Sequence, residues 1–443
     1  MNASIIKSIE EKTPDFIKKI ITPIVRKKVI NNKYFLEQYK AITDFDKKTE
    51  KQKDEIHFNL LKEKIIYAYE NTIYYKNLLD KIDFNPYNMT NLEEILKIPS
   101  ISKDEVINNF EELTSNEAIN TYTAYTGGST GKPLKILLDG TAPYKERAFI
   151  YKYWEKAVGY SYKKGKTITF RGLEFGKRLY KFNPIDNQII MSPFKLSLDT
   201  IDDYVKVIRS YKPEFIHGYP SAISNFCRLI NLKKIKLDIE IKGVFLVSEN
   251  VTEIEKELIE NTLKCKTAIF YGHSERLVLG EYYENLGYKF HKLYGHVELM
   301  HYKDNLYKIL VTGFLSNSMP LINYITDDIV EITENKECLI HGHRGKELLY
   351  GVNKEEISLA AINFHSNAFS KVLKYQFEQH EIGNVKFRLE PIKGMQFENK
   401  DLNQIKKVLD NKFNNVINYS IEIVDYIPLT QRGKFKKIIQ HIN

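Results

Sequence analysis

A run of glycines and hydroxyl-bearing residues, followed by a lysine and a proline, lies at residues 126–133. Consecutive glycines let the backbone aim several N–H groups at one point, and the hydroxyls and the lysine add donors, so the run predicts a phosphate-binding loop. The P-loop of nucleoside triphosphatases is excluded, because that motif has four residues between its glycines and a Ser or Thr after the lysine. The alternative is a polar hairpin turn between two strands. The candidate residues are Thr126, Gly127, Gly128, Ser129, Thr130, Gly131 and Lys132.

Two further polar segments follow stretches that have the pattern of buried strands. Residues 242–247 are predicted as a strand, Thr252 and Glu255 as the capping box of the next helix, and residues 266–272 as the following strand. This spacing predicts a parallel pair with a right-handed crossover, and ligands bind beyond the carboxyl ends of such strands. The alternative for Glu275 is a solvated surface acid. The candidates at this edge are Ser248, Glu249, Tyr271, Gly272, His273, Ser274 and Glu275.

Three stretches of the chain with different residue patterns are expected to position these candidates. Residues 1–115 have mostly helical periodicity, and from about residue 120 short strands and turns lead into an alternating α/β stretch. Beyond about residue 340, a helical pattern between strand-like segments predicts a separate α+β domain. We therefore predict an α/β protein with a large N-terminal domain of several sheets at residues 1–342 and a small, mobile α+β C-terminal domain at residues 343–443.

Composition excludes several classes of protein. Among the 443 residues, 43% are hydrophobic and 28% are charged, which is ordinary globular usage and excludes global disorder. The net charge of +9 suits phosphate-bearing partners without requiring them. The three cysteines form no CxxC pair, so neither a disulfide framework nor a zinc ribbon is indicated.

The N-terminus has the acidic residues Glu10 and Glu11 where a signal peptide would be apolar, and no apolar run is long enough to span a membrane. The sequence therefore predicts a soluble, cytoplasmic chain. Residues 5–29 have a basic amphipathic pattern, for which contact with a membrane surface is a minor alternative. We expect this segment to pack its apolar stripe on the protein instead.

The glycine-rich run resembles the Ser/Thr–Gly–Lys–Pro loop of the adenylate-forming (acyl-AMP) superfamily. Four more segments agree with that superfamily in the same order: Tyr271–Glu275, Tyr324–Asp328, His343-Arg344 and Pro428–Lys434. Among its members the sequence is most similar to phenylacetate–CoA ligases and to the related ligases of capsular polysaccharide gene clusters. That similarity spans about residues 55–443 and includes Ile66-Tyr67-Ala68-Tyr69, Tyr74-Tyr75, Gly218-Tyr219-Pro220-Ser221 and Met319-Pro320-Leu321-Ile322.

The resemblance implies an ATP-dependent ligase. Such enzymes join a carboxylate to ATP, release pyrophosphate, and pass the acyl group from the acyl-adenylate to an acceptor. The implied cofactors and partners are ATP, Mg²⁺, a small carboxylic acid, and as acceptor either CoA or an amine or hydroxyl, such as that of a sugar, in surface-polysaccharide biosynthesis. The carboxylate and ATP are both anions and must approach each other, so charge neutralisation and positioning are expected to dominate catalysis.

The resemblance also implies roles for individual residues. Thr130, Lys132 and Lys434 would be catalytic, and the loop at 126–132 would hold the β- and γ-phosphates. Glu275 would hold Mg²⁺, which favours one or two carboxylates together with phosphate oxygens. The nucleotide would be bound by Tyr271 against adenine, by the backbone near Ser248 and Glu249, by Asp328 on the ribose, and by Arg344 at the hinge.

Three further side chains are candidates for the carboxylate pocket: His217, Tyr219 and His273. Satisfied core or rim side chains are the alternative for the first two. The alternative for Asp328 is a role in a turn, where Asp is common. The alternative for Lys434 is a solvated charge in a basic tail.

Two positions depart from the family pattern. Asp327 replaces a usual glycine, and Asn323 occupies a position where relatives often have arginine. Loss of activity is one reading of these changes, so a non-catalytic member of the family is an alternative. A basic nucleic-acid or membrane-surface binding protein is another, although the interspersed charges argue against it and we expect no nucleic-acid partner. We expect His291, His341 and His343 to face solvent rather than to form a zinc site with Cys338.

Overall fold

The computed structural model describes residues 15–125, 134–340, 348–358, 367–413, 415–431 and 433–442. Its helices α1 to α11 are, in chain order, Asp15–Ile30, Lys33–Asp46, Glu50–Asn71, Ile73–Lys81, Lys103–Asn108, Phe110–Leu113, Ala142–Val158, Ile201–Tyr211, Pro220–Leu232, Glu253–Leu263 and Asn399–Phe413. Short 3₁₀ turns occupy Pro86–Asn88, Leu92–Lys97, Pro193–Lys195 and Asn367–Phe369.

Among the residues that the structure describes, the strands begin only after residue 120, as predicted. Strands β1 to β10 are Thr121–Tyr125, Lys135–Asp139, Thr167–Phe170, Tyr180–Asn183, Gln188–Met191, Phe215–Gly218, Gly243–Leu246, Lys266–Gly272, Leu279–Tyr283 and Gly287–Phe290. Strands β11 to β20 are Gly295–Lys303, Leu306–Gly313, Tyr324–Ile332, Cys338–Ile340, Leu348–Tyr350, Glu356–Ser358, Val372–Glu381, Asn384–Pro391, Asn418–Ile423 and Ile438–Gln440.

The chain forms two compact units, each built from separate stretches of sequence. Unit 1 comprises Met1–Arg26, Gly165–Thr267 and His343–Asn443. Unit 2 comprises Lys27–Lys164 and Ala268–Gly342. The predicted boundary between residues 342 and 343 falls among residues outside the described ones, and it stays a prediction.

The central sheet of unit 1 has the strand order β7-β6-β3-β5-β4. Its pairs are parallel except for the antiparallel pair of β4 and β5. Strands β3, β6 and β7 are short and buried on both faces, as expected for parallel strands flanked by helices. The predicted capping box is confirmed, because Thr252 and Glu255 exchange side-chain and backbone hydrogen bonds at the start of α10.

The C-terminal part of unit 1 has a core of its own. A four-stranded sheet of order β19-β18-β17-β20 packs on helix α11. The side chains between sheet and helix include Phe377, Phe387, Leu389, Ile405, Leu409 and Phe413. The predicted α+β character of this region is confirmed.

Unit 2 contains the strand order β11-β12-β13-β14-β10-β9, with β8 next to β9, and the separate hairpin of β1 and β2. The hairpin pairs Thr121 with Asp139 and Tyr125 with Lys135. Helices α3 and α4 pack into its main core, where Leu61, Ile65 and Tyr75 are fully buried. The prediction of an α/β chain with several sheets is confirmed.

Asn323 is a structural residue of unit 2. Its side-chain amide donates to the carbonyls of Ile95 and Ile98 at 2.8 and 2.9 Å, and its backbone has a φ of 51°, a left-handed conformation that Asn tolerates better than most residues. In this chain Asn323 therefore holds two backbone carbonyls by hydrogen bonds.

One expectation about histidines is wrong. His291 is buried rather than solvent-facing, with its ring stacked on Phe45 and in edge contact with Phe149. Burial lowers its pKa to about 3, helped by nearby lysine charge, so the ring is neutral. His341 and His343 lie outside the described residues. No helix among those that the structure describes combines the length and apolar character needed to cross a bilayer.

Candidate active site

Two strand ends in unit 1 place sequence-predicted residues side by side. Strands β6 and β7 are parallel, and Gly218 at the end of one is in register with Leu246 at the end of the other. Gly218 has a φ of 151°, and a Cβ at this position would meet the carbonyl oxygen of Phe170 at 2.4 Å. Only glycine fits there, so the backbone can pass close to β3 before it turns to Tyr219. Tyr219 and Ser248 thus follow neighbouring strand ends.

Ser248 has an unusual backbone conformation. Its φ of 66° is left-handed, which is uncommon for a residue with a Cβ other than Asn or Asp. Such conformations persist where the surroundings enforce them, and they concentrate at functional sites. The carbonyl oxygen of Ser248 accepts a hydrogen bond of 2.6 Å from Nζ of Lys434.

The loop that contains Lys434 is closed by its own hydrogen bonds. The backbone N–H of Thr430 donates to the carbonyl of Lys434 at 2.8 Å, and that of Gly433 donates to the carbonyl of Thr430 at 2.7 Å. Gly433 has a φ of 72°, and a Cβ there would lie 2.4 Å from Cα of Gly172. The loop therefore packs directly on the segment that follows β3. Nζ of Lys434 also lies 5.7 Å from the centre of the Tyr219 ring.

Glu249 contacts the same C-terminal loop through its carboxylate. One oxygen accepts from the backbone N–H of Phe435 at 3.1 Å, and the other accepts from the backbone N–H of Ser221, at the start of α9, also at 3.1 Å. Burial raises the pKa of Glu249 to about 6 against the opposing effect of these hydrogen bonds. The predicted role of this segment was a backbone contact to the nucleotide, and the structure adds a side-chain role in holding the loop.

The sequence patterns did not indicate the ion pair between Glu255 and Lys437. The Glu255 carboxylate caps helix α10 through Thr252 and also lies 3.0 Å from Nζ of Lys437. Burial acts to raise the pKa of Glu255, but the lysine and the hydrogen bonds from Thr252 hold it below its usual value. The two residues are 182 positions apart, so no local spacing could have paired them.

His217 lies on β6 and is neutral. Its Nδ1 is 3.3 Å from the Thr169 hydroxyl, which itself donates to Gln188 at 2.7 Å. Because that hydroxyl proton is committed to Gln188, Nδ1 of His217 is the donor of the pair. Burial lowers the pKa of His217 to about 4, with a further contribution from the charge of Arg171.

In unit 2 the structure joins two further predicted residues. The hydroxyl of Tyr271 donates a hydrogen bond of 2.7 Å to Oδ2 of Asp328. Asp328 is buried, whereas its neighbour Asp327 is exposed on the alternate face of β13. The extra carboxylate therefore points away from the side of the strand that holds Asp328.

The segment after β8 contributes His273 and Glu275. Glu275 is buried, and one of its carboxylate oxygens lies 3.0 Å from Nδ1 of His273. Burial acts to lower the pKa of His273, but the charge of Glu275, the contact with it, and the more distant acids Asp328 and Glu146 raise the pKa above its usual value. A buried carboxylate fits a cation such as Mg²⁺, whose other ligands are phosphate oxygens and water. Gly272 precedes His273, Ser274 lies between His273 and Glu275, and both are exposed.

Unit 2 contains a second polar network, which the sequence did not predict. Arg276 donates to Glu146 at 2.7 Å and to the hydroxyl of Tyr122, and Glu146 also accepts from Tyr294 at 3.1 Å. Tyr122 lies on β1, the strand that leads into the glycine-rich run. In the sequence, the only indication of this network was that Arg276 directly follows Glu275.

Several predicted site residues lie outside the described part of the chain. They are Thr126, Gly127, Gly128, Ser129, Thr130, Gly131, Lys132 and Arg344. The described candidates form two groups. In unit 1 the group is His217, Tyr219, Ser248, Glu249 and Lys434. In unit 2 it is Tyr271, Gly272, His273, Ser274, Glu275 and Asp328.

The chain is similar to several known proteins. Residues 349–441 match the family model of the CapK C-terminal domain. Over 395 residues the chain is 24% identical to Protein CapK of Staphylococcus aureus, covering 85% of this chain and 86% of that protein.

The fold resembles that of 2-hydroxyisobutyryl-CoA ligase in two states. In the postadenylation state with R3-HIB-AMP, the TM-score is 0.64 at 14% identity, covering 87% of this chain and 89% of the other. In the thioesterification state with 2-HIB-AMP and CoA, it is 0.53 at 15% identity, covering 88% and 90%. The resemblance that the sequence motifs indicate is therefore confirmed: the chain has the fold of the adenylate-forming ligases and a C-terminal domain of the CapK type.

Proposed function

We propose that this protein is an ATP-dependent ligase that activates a carboxylic acid as an acyl-adenylate and then transfers the acyl group to an acceptor. The observation that best supports the proposal is the hydrogen bond between Nζ of Lys434 and the carbonyl of Ser248. It places the ammonium group of a C-terminal loop at the carboxyl edge of a parallel sheet, where ligands of α/β proteins bind.

In the first half-reaction an oxygen of the substrate carboxylate attacks the α-phosphorus of ATP. The bond from that phosphorus to the bridging oxygen breaks, and pyrophosphate leaves. Negative charge increases on the α-phosphate oxygens as the bond forms, and an ammonium group held beside them stabilises that charge. We assign this role to Lys434, whose position is fixed by the Thr430–Lys434 hydrogen bonds and by the contact of Gly433 with Gly172.

We assign nucleotide contacts to the group in unit 2. The carboxylate of Asp328, oriented by the hydroxyl of Tyr271, is suited to accept hydrogen bonds from the two ribose hydroxyls. Glu275 is the residue that would hold Mg²⁺, which would supply charge neutralisation of the phosphates. His273 keeps the Glu275 carboxylate in place from the side.

The glycine-rich run at 126–132 is proposed to bind the β- and γ-phosphates, with Thr130 and Lys132 as its catalytic donors. Arg344 is proposed to contact the nucleotide at the hinge. For His217, Tyr219 and His273 we propose contact with the acid, and a neutral His217 is compatible with a pocket that receives the uncharged part of the substrate.

In the second half-reaction a nucleophile attacks the acyl carbon and AMP leaves. We propose CoA as the acceptor, because a ligase of the same fold binds CoA together with an acyl-adenylate. The similarity to Protein CapK supports a role in surface-polysaccharide biosynthesis, in which the acyl group would finally reach a sugar amine or hydroxyl.

The test separates the two half-reactions. Lys434→Ala is assayed for ATP–pyrophosphate exchange with a panel of carboxylic acids, and then for acyl transfer to CoA from presynthesised acyl-adenylate. We expect exchange to fall by about 10²–10³, the usual cost of one preorganised donor, while transfer from the adenylate changes little.

The control is Lys436→Ala, two residues later and exposed. It changes the net charge by the same amount and should leave both half-reactions intact. An equal loss in both reactions for Lys434→Ala, or the absence of exchange by the wild-type protein with every acid, would contradict the proposal.

A further inference from the structure

Three potential metal ligands converge on one face of the C-terminal sheet. They are Glu378 and His380 on β17 and His441, which follows β20. The ligand atoms of these side chains all lie within 4.8 Å of one another. In the part of the chain that the structure describes, no other set of three His, Cys, Asp or Glu side chains meets that condition.

The strand register explains why these residues meet. Strands β17 and β20 are parallel neighbours that pair Glu378 with Ile439 and Gln379 with Gln440. The side chains of Phe377 and Gln379 face the core, so those of Glu378 and His380 point to the opposite face. Continuing the register by one residue puts His441 beside His380. Their rings accordingly stack in parallel, with centroids 4.2 Å apart and an angle of 4°.

Both imidazoles turn the same nitrogen towards the same carboxylate oxygen. Nε2 of His380 is 2.8 Å from Oε1 of Glu378, and Nε2 of His441 is 3.6 Å from it. Two ligands of a tetrahedral ion with bonds of roughly 2.1 Å are about 3.4 Å apart. These two separations bracket that value, and the two stacked rings would have to tilt so that both nitrogens face one ion.

The surroundings fix the carboxylate and leave the site accessible. Arg388 lies 2.7 Å from Oε2 of Glu378, the oxygen that does not face the histidines, and also contacts Glu422 at 3.0 Å. Outer contacts of this kind orient a ligating group. The side chains of His380 and His441 are about half exposed, so an ion can enter from solvent and keep a water as a further ligand.

We propose that Glu378, His380 and His441 form a binding site for a divalent transition-metal ion, with Zn²⁺ as the best match. Two imidazoles and one carboxylate suit Zn²⁺, whereas Mg²⁺ and Ca²⁺ prefer ligands that are all oxygen. The ion would join β17 to the segment after β20. Since β20 follows the loop that contains Lys434 and Lys437, the ion would stabilise the strand that anchors this loop in the C-terminal sheet.

The experiment uses the full chain without an affinity tag, because added histidines would bind zinc themselves. Isothermal titration with ZnCl₂ measures stoichiometry and affinity for the wild type and for His380→Ala, His441→Ala and Glu378→Gln. His301→Ala is the matched control, since it removes an exposed histidine whose Nε2 contacts the carbonyl of Asp304 in unit 2.

We expect one Zn²⁺ per chain in the wild type and in His301→Ala, with affinity reduced more than about 10-fold in each of the three site variants. Zn²⁺ should raise the melting temperature of the wild type and not that of His380→Ala, because only a protein that binds the ion is stabilised by it. Mg²⁺ at the same concentration should have no such effect.

Circular dichroism establishes that each variant is folded, and Glu378→Gln keeps the size of the side chain if an alanine variant does not fold. Absence of Zn²⁺ binding by the wild type would overturn the proposal. Unchanged affinity in all three site variants would overturn it equally, because the ion would then be bound elsewhere.

Discussion

Lys437 lies 3.0 Å from Glu255, and this largely buried ion pair joins the C-terminal loop to the start of helix α10 within unit 1. Lys437 follows Lys434 by three residues, so the pair fixes the direction in which the loop leaves the sheet edge. Together with the hydrogen bond from the Phe435 N–H to Glu249, it holds the loop at Phe435 and at Lys437.

Lys437→Met should lower both stability and the adenylation rate. Removing one partner of a buried pair leaves the other charge uncompensated, at a typical cost of about 3–5 kcal/mol. Thermal melting and ATP–pyrophosphate exchange measure the two effects. The double variant Glu255→Gln/Lys437→Met removes the leftover charge, and Gln can still serve the capping box. It should therefore regain much of the stability, and a double variant that is as unstable as the single one would count against this account.

Gly433→Ala should release the loop from its packing partner. The substitution adds a Cβ that collides with Cα of Gly172 at 2.4 Å, in addition to the strain of a side chain at a φ of 72°. Gly394→Ala is the control, because Gly394 has a φ of 85° but no atom within 4 Å of the added Cβ. The control should lose about 1 kcal/mol from backbone strain alone and keep normal adenylation. We expect Gly433→Ala to lose exchange activity in addition, and similar exchange rates in the two variants would refute the packing argument.

Glu249 should make stability depend on pH in a defined window. Its pKa is raised to about 6 in the folded protein, so folding favours the protonated form. The corresponding stabilisation is complete below the unfolded pKa of about 4.5 and is lost as the pH rises through about 6, by roughly 2 kcal/mol in all. Melting temperatures of the wild type and of Glu249→Gln, compared from acidic to neutral pH, should show a relative decline of the wild type as the pH rises. A constant difference between the two would mean that the carboxylate is not buried.

Tyr271→Phe should weaken nucleotide binding by disturbing Asp328. The hydroxyl of Tyr271 holds the carboxylate in place with a charge-assisted bond, and losing such a bond costs about 1.5–3 kcal/mol. We expect KM for ATP to rise by roughly 10- to 100-fold with a smaller change in kcat, and Asp328→Asn to behave similarly. Tyr288→Phe, whose ring lies 6.4 Å from that of Tyr271, is the control. If the KM of Tyr288→Phe rises as much, the effect comes from the contact between these aromatic rings and not from the hydrogen bond.

Glu275→Gln should reduce adenylation severely while the protein stays folded. The amide keeps the shape of the buried side chain but loses the charge that is proposed to bind Mg²⁺. Exchange measured across a range of Mg²⁺ concentrations should show the greatest deficit at limiting Mg²⁺. Near-wild-type exchange under that condition would remove Glu275 from the proposed metal site.

The parts of the fold that depend on local pattern could be predicted from the sequence. The Thr252 capping box, the strand at 266–272 and the C-terminal helix follow from residue type and spacing within a few positions. The placement of Ser248 beyond a strand end followed from the same reasoning, because the residues after a buried strand lie at the edge of its sheet.

Contacts between distant segments could not be predicted in this way. The pairing of Glu255 with Lys437 depends on how the C-terminal domain packs, and nothing near either residue indicates it. The burial of His291 has the same cause, since the two aromatic rings that enclose it come from helices α2 and α7. In the sequence, Asn323 was interpreted as a departure that could reduce activity. In the structure, its side chain binds two backbone carbonyls more than 200 residues earlier.

The discontinuous course of the chain has a consequence during synthesis. Unit 1 takes its second segment from Gly165–Thr267 and its third from His343–Asn443. A nascent chain that has emerged as far as residue 342 therefore has all the sequence of unit 2, but it lacks Lys434 and Lys437. In such a chain the Glu249 and Glu255 carboxylates have no C-terminal loop to bind. Completion of unit 1 must wait until residues 343–443 have left the ribosome, so a chain on which translation stops before them would have the residues proposed to bind the nucleotide without Lys434, the lysine proposed to act in adenylation.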